Sequence, residues 1–202
     1  MGRRRVHQPH TILDAARTLV LEEGAGAATV GAIASASGAP IGSIYHAFGS
    51  RDTLLAQLWI RAVRRSQGRF LEALEDESEA LDSAVAAALS IYDFARDEPG
   101  DARLLASLRR EDLIQMPLPA ELASELAELN RPIEEAIGAL ARRLFGRVTS
   151  QRVDQTALAV FDLPYGALRR HLVSGKRPPA ALRPPLARAV RAALADEPVR
   201  QR

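Results

Sequence analysis

An all-helical fold is what this sequence predicts, and three observations carry the prediction. Long Ala/Leu/Arg/Glu stretches supply strong helix formers. Apolar residues recur at three- and four-residue spacing along most of the chain. The β-branched and aromatic runs that build sheets are nearly absent. With 202 residues, 47% of them hydrophobic, the chain holds one large domain or a small one plus a medium one. The formal charge, 27 − 25 = +2, is too small for the whole surface to mark a polyanion binder, so any basic footprint is local. Cysteine is absent, which excludes disulfides and Cys-ligated zinc and suits a cytosolic setting. Arg3-Arg4-Arg5 is not followed by an apolar leader segment, and no run approaches a membrane span. The expected class is a soluble, cytoplasmic protein.

Residues 9–23 predict a first helix with Ile12, Ala16, Leu19 and Val20 on one face and Leu13 widening it. Either Pro9 sits at its first position or Thr11 caps it, and Gly24 and Gly26 end it. Thr29 is a good N-cap for a second, short helix that repeats Val30, Ile33 and Ala34. Gly38 fits the left-handed position that stops such a helix without a Cβ penalty. Pro40 suits the first turn of a third helix. That helix places Ile44 and Phe48 on one side and leaves Gly42, Ser43, Tyr45 and His46 on the others. Two short helices meeting at a glycine, the second with a small polar leading edge, form a helix-turn-helix. In that arrangement the leading residues of the second helix enter the DNA major groove.

Ser50 caps the next helix, with Asp52 in its positive first turn. Leu54, Leu55, Leu58, Ala62, Phe70, Leu71 and Leu74 predict one long helix or two. The acidic run Glu72, Glu75, Asp76, Glu77, Glu79 reads as a solvated junction. Residues 80–96 are apolar on more than one side and predict a central helix. Residues 101–115 predict a short helix with a charged continuation, broken by Pro117 and Pro119. The stripe Leu122 to Leu144 contains Pro132, which predicts a kink or a break and restart. Residues 150–173, interrupted by Pro164, and residues 185–195, after a Pro-rich linker, supply the last two amphipathic helices.

The stretch Gly42-Ser43-Ile44-Tyr45-His46-Ala47-Phe48, followed by Ser50-Arg51-Asp52-Thr53-Leu54, resembles the tetracycline-repressor (TetR) family of bacterial transcriptional regulators. Pro40, where Ser or Thr is usual in that family, and Ile41, where a basic residue is frequent, depart from its pattern. The resemblance implies a three-helix DNA-binding head, residues 1–52, and a helical regulatory and dimerisation body, residues 53–202. It also implies a ligand-responsive regulator of an operator, a repressor released by a small molecule. The homodimer is expected through the last two helices, because helix pairs from two chains make a four-helix bundle.

Within that reading each DNA-facing residue has a role. Thr29 offers a hydroxyl and a backbone N–H to a phosphate, Tyr45 and His46 offer an O–H and a ring N–H, and Arg51 offers a fork. Arg4 and Arg5 belong either to a solvated tail or to a reach toward phosphates and the minor groove. The edge Pro40-Ile41-Gly42-Ser43 lacks Arg, Lys, Asn and Gln, so Ser43 is expected to hydrogen-bond a base and Ile41 to touch a thymine methyl. Trp59, Phe70, Tyr92, Phe94, Met116, Phe161 and Tyr165 are candidates to line a pocket for an apolar or aromatic effector. Core packing is the plainer reading of each. No His-Glu-x-x-His run, phosphate loop or Gly-x-Ser-x-Gly elbow occurs, so neither enzyme chemistry nor a cofactor is expected. The competing reading is a helical protein-interaction module of the same ancestry without inducible DNA binding.

Overall fold

Helix α1 (Pro9–Glu23) opens at a proline, where a missing N–H costs nothing, and buries Ile12, Leu13, Ala16 and Val20. The structure, a computed structural model, describes residues 9–75 and 79–195. Helix α2 (Val30–Ser37) is capped by Thr29, whose Oγ1 accepts from the Ala32 N–H at 3.1 Å. Gly38 then takes the left-handed conformation, φ 68°, and stops it. Helix α3 (Ile41–Phe48) starts one residue later than expected. Pro40 is its N-cap rather than a first-turn residue, and the Pro40 carbonyl accepts from Ser43 at 2.9 Å and Ile44 at 3.3 Å.

Helix α4 (Arg51–Glu75) is a single run of 25 residues. The Ser50 hydroxyl accepts from the Thr53 N–H at 3.1 Å and so caps it as the sequence predicts. Helix α5 (Ala80–Asp97) buries Val85, Leu89, Tyr92 and Phe94, with small alanines closing the gaps between them. Helices α6 (Pro99–Ser107), α7 (Arg110–Ile114) and α8 (Ala120–Glu128) follow. Pro99 opens α6, so the Pro-Gly pair predicted only to stop α5 also begins the next helix. Helix α9 (Arg131–Phe145) carries Pro132 in its first turn, which makes that proline a break and restart.

Helices α10 (Ser150–Ala157) and α11 (Leu163–Val173) are joined without interruption by a π-helical turn, Leu158–Asp162. Pro164 explains the wide turn, because in a regular helix its ring would meet the carbonyl four residues back. The turn also explains the burial pattern. Thr156, Val160, Pro164, Leu168 and Leu172 are all buried and are spaced by four. At about 100° per residue such a series drifts by about 160° over its length, and one extra residue in the wide turn returns about 100° of that. Helix α12 (Arg183–Leu194) begins two residues before the predicted start, with Pro184 and Pro185 in its first turn.

The described residues of Met1–Arg64 and Gly100–Leu129 form one compact unit, and those of Arg65–Pro99 and Asn130–Arg202 form the other. The three-helix motif ends near residue 52, but packing does not divide the chain there. In the first unit Leu104, Leu108, Leu113, Leu122, Leu126 and Leu129 join α1 to α4 in one core. The Trp59 indole N–H donates to the Leu108 carbonyl at 3.3 Å within it. In the second unit α5 packs on α11, α12 and the π turn.

Candidate nucleic-acid interface

Helix α3 is amphipathic in a particular way. Ile44 and Phe48, 1% and 4% exposed, anchor it in the first core. Ile41 and Tyr45 stand 51% and 52% exposed, and Gly42, Ser43 and His46 are exposed with them. Among the described residues, the hydroxyls of Ser43 and Tyr45 have no intrachain partner. A Cβ added to Gly42 would meet nothing within 4 Å. Intrachain packing thus gives no reason for a glycine that costs a helix about 1 kcal/mol relative to alanine. The bare backbone leaves the outer side open to close approach.

At the start of α2 the expectation needs correcting. The Thr29 N–H is taken by the Ala27 carbonyl at 2.7 Å, in a tight turn through Ala28 (φ −73°, ψ 61°). Its oxygen accepts the cap bond, which leaves only the O–H proton to donate outward. The first-turn N–H groups of Val30 and Gly31 are the ones without an intrahelical acceptor. Gly31 is exposed, and a Cβ there would also meet nothing within 4 Å. Gly31 is absent from the residues expected at this surface, although a glycine in a first turn was the available signal.

Arg51 is a second correction. Its Nε donates to the Ala28 carbonyl at 2.9 Å, one Nη to the Ala25 carbonyl, and the other to Asp52 at 3.2 Å. The fork expected to face phosphate is turned inward, where it ties the loop before α2 to the start of α4. Residues 9–52 contain two arginines, Arg17 and Arg51, and four carboxylates, so their charge is 2 − 4 = −2. Arg17 is also engaged within the chain, with Asp101. Arg4 and Arg5 lie outside the described residues.

Residues 12–58 match the family described as bacterial regulatory proteins, tetR family. The match covers the N-terminal segment, which is similar to the DNA-binding segment of tetR-family regulators. Solved structures share the whole fold at low identity. A TetR family transcription regulator from Marinobacter aquaeolei VT8 superposes with a TM-score of 0.74 at 15% identity, over 98% of this chain and 100% of that one. The fatty acid degradation regulator FadR from Bacillus halodurans gives 0.69 at 17%, over 91% and 98%. The ketosteroid transcriptional regulator KstR2 of Mycobacterium tuberculosis gives 0.68 at 16%, over 95% and 97%. No curated protein matches the chain in sequence.

The seven aromatic and Met candidates are divided between the two units. Trp59 is buried in the first unit, where Met116 packs against the same core. Phe70, Tyr92 and Phe94 are buried in the second unit. The Tyr92 hydroxyl donates to the Pro179 carbonyl at 3.1 Å, and Arg96 donates to that hydroxyl at 3.2 Å and to the Pro178 carbonyl at 2.7 Å. Tyr92 therefore fastens the Pro-rich stretch to α5. Arg69 lies 5.8 Å from the Phe94 ring centroid. Phe161 and Tyr165 are exposed rather than internal, together with Leu158. Among the described residues there is no cluster of three metal-ligating side chains, and no helix is long and apolar enough to cross a membrane.

Proposed function

We propose that the chain is a homodimeric transcriptional repressor that reads an operator with α3 and is released from it by a small molecule. The observation that carries this reading is the division of α3: two apolar anchors hold it in the core while its leading edge stands outside with unpaired hydroxyls and bare backbone. Ser43 hydrogen-bonds a base edge, Ile41 covers a thymine methyl, and Gly42 lets the backbone approach. Tyr45, His46 and the Thr29 hydroxyl contact phosphates and hold the register. With residues 9–52 net negative, the long-range attraction comes from Arg4 and Arg5 beside Arg3.

A single head covers too little DNA to specify a site, so two copies act together. Leu158, Phe161 and Tyr165 form an exposed apolar stripe on α10–α11, and α12 exposes Pro185, Ala189 and Ala192. Pairing these faces about a twofold axis makes a four-helix bundle and covers them. The effector belongs to the second unit and is apolar or aromatic. That choice rests on the buried Phe70 and Phe94 and on two fold neighbours, one named as a fatty acid degradation regulator and the other as a ketosteroid regulator.

Selection from a random duplex pool tests the reading. The wild-type chain is expected to enrich an inverted repeat, and Ile41→Ala to change the preferred bases while non-specific affinity stays the same. Deleting residues 2–5 should flatten the salt dependence by about 0.9 in log–log slope for each phosphate that is no longer neutralised. Failure to enrich any duplex would sink the proposal and favour an interaction module.

A further inference from the structure

Four charged side chains alternate in sign across three helices of the first unit. Arg61 on α4 donates from one Nη to Asp14 on α1 at 2.7 Å, and from the other to the His10 carbonyl at 3.3 Å. Asp14 also lies 3.6 Å from Arg17, one turn further along α1. Arg17 in turn donates to Asp101 in the first turn of α6. Asp101 is fully buried, and the Arg61 Nε is buried without a hydrogen-bond partner. Gly100 makes room for this chain of charges: a Cβ there would lie 3.1 Å from the Arg17 Nε.

Burying a carboxylate in an ion pair adds little net stability, since an apolar pair of the same volume would serve as well or better. Its distinguishing property is directional. The guanidinium of Arg17 satisfies Asp101 in one placement of α1 against α6, and Arg61 repeats the constraint between α1 and α4. Helix α1 is the element on which α2 packs, so fixing it fixes the reading helix that follows. We infer that Asp14, Arg17, Arg61 and Asp101 are positioning residues for DNA recognition, which set the pose of the reading head on α4 and α6. The inference rests on the DNA-binding reading above.

Asp14 is the safest place to cut, because its side chain is the most exposed of the four. For Asp14→Asn the affinity for the duplex selected by the wild-type chain is expected to fall about tenfold, while a scrambled duplex of equal length is bound as before. Simple electrostatics predicts the opposite, since removing a negative charge tightens binding to DNA. Equal or tighter binding of the selected duplex by Asp14→Asn would overturn the inference. The double variant Arg17→Met/Asp101→Leu supplies an independent reading. Its Tm is expected to stay near that of the wild type, with affinity for the selected duplex still about tenfold down. Recovery of affinity together with Tm would mean a packing role alone and would also overturn it; if this variant does not fold, Asp14→Asn decides. A wild-type chain that selects no duplex defeats the DNA-binding reading, whereas one that selects a duplex bound equally by Asp14→Asn defeats only this inference.

Discussion

Two of the surfaces that show large apolar side chains to solvent, on α3 and on α10–α11, are built differently. On α3, Ile41 and Tyr45 lie one turn apart and are bordered by Gly42, Ser43 and His46, so a small apolar pair is edged by polar groups and bare backbone. On α10–α11, Leu158, Phe161 and Tyr165 follow one another at helical spacing. A duplex groove offers phosphates, base edges and a few methyl groups, and a mixed surface fits it. A second helix bundle offers leucines and alanines, and a continuous stripe fits that. Exposure alone does not tell the two apart; what borders the exposed residues does.

The sharpest way to break this contrast is to put the same charge into both surfaces. Phe161→Asp is present twice in a symmetric dimer, so association is expected to weaken by about 4 kcal/mol, with the chain sedimenting as a monomer of unchanged helicity. Ile41→Asp should leave sedimentation alone and abolish DNA affinity, because its carboxylate would face phosphates. If both variants changed sedimentation, the distinction between the surfaces would be lost. Next in size is Arg51→Ala, expected to destabilise the head by about 2 kcal/mol as its charged hydrogen bonds to Ala25 and Ala28 disappear. Arg51→Lys should recover only a minor part in thermal unfolding, since one ammonium cannot reproduce the fork. Were Arg51 bound to phosphate instead, Tm would hold and the salt slope would change. The smallest effect is that of Thr29→Ala, about 1 kcal/mol for the missing cap, restored by serine at the same position. An unchanged Tm for the alanine variant would remove the cap from the account.

Features decided within a few residues were legible in the sequence. Thr29, Gly38 and Ser50 bound their helices as expected, because a cap bond reaches only two or three positions. The two sides of α3 followed from the four-residue spacing of Ile44 and Phe48. Features decided across the chain were not legible. The carbonyl acceptors of Arg51 lie 23 and 26 residues away, and that of Trp59 lies 49 residues away. Nothing local announces them. Periodicity likewise shows that a residue belongs to an apolar side but not what covers it, which is why Phe161 and Tyr165 group with Phe70 and Phe94 on sequence alone. The joining of α6 to α8 with the head has the same origin. Their leucines read only as helix-core positions until Trp59 and α1 are seen against them.

The π turn at Leu158–Asp162 makes the preceding and following halves of that helix depend on chain length more than on composition. Five inward positions stay in phase only because one residue is absorbed there. Shortening the turn by a single residue would rotate Leu168 and Leu172 by about 100° relative to Thr156 and Ala159, however conservative the residue removed. The same rotation would carry Tyr165 away from Leu158. In this helix a gap of one residue is therefore a larger change than most substitutions, and the exposed apolar stripe and the core-facing stripe would be disrupted together.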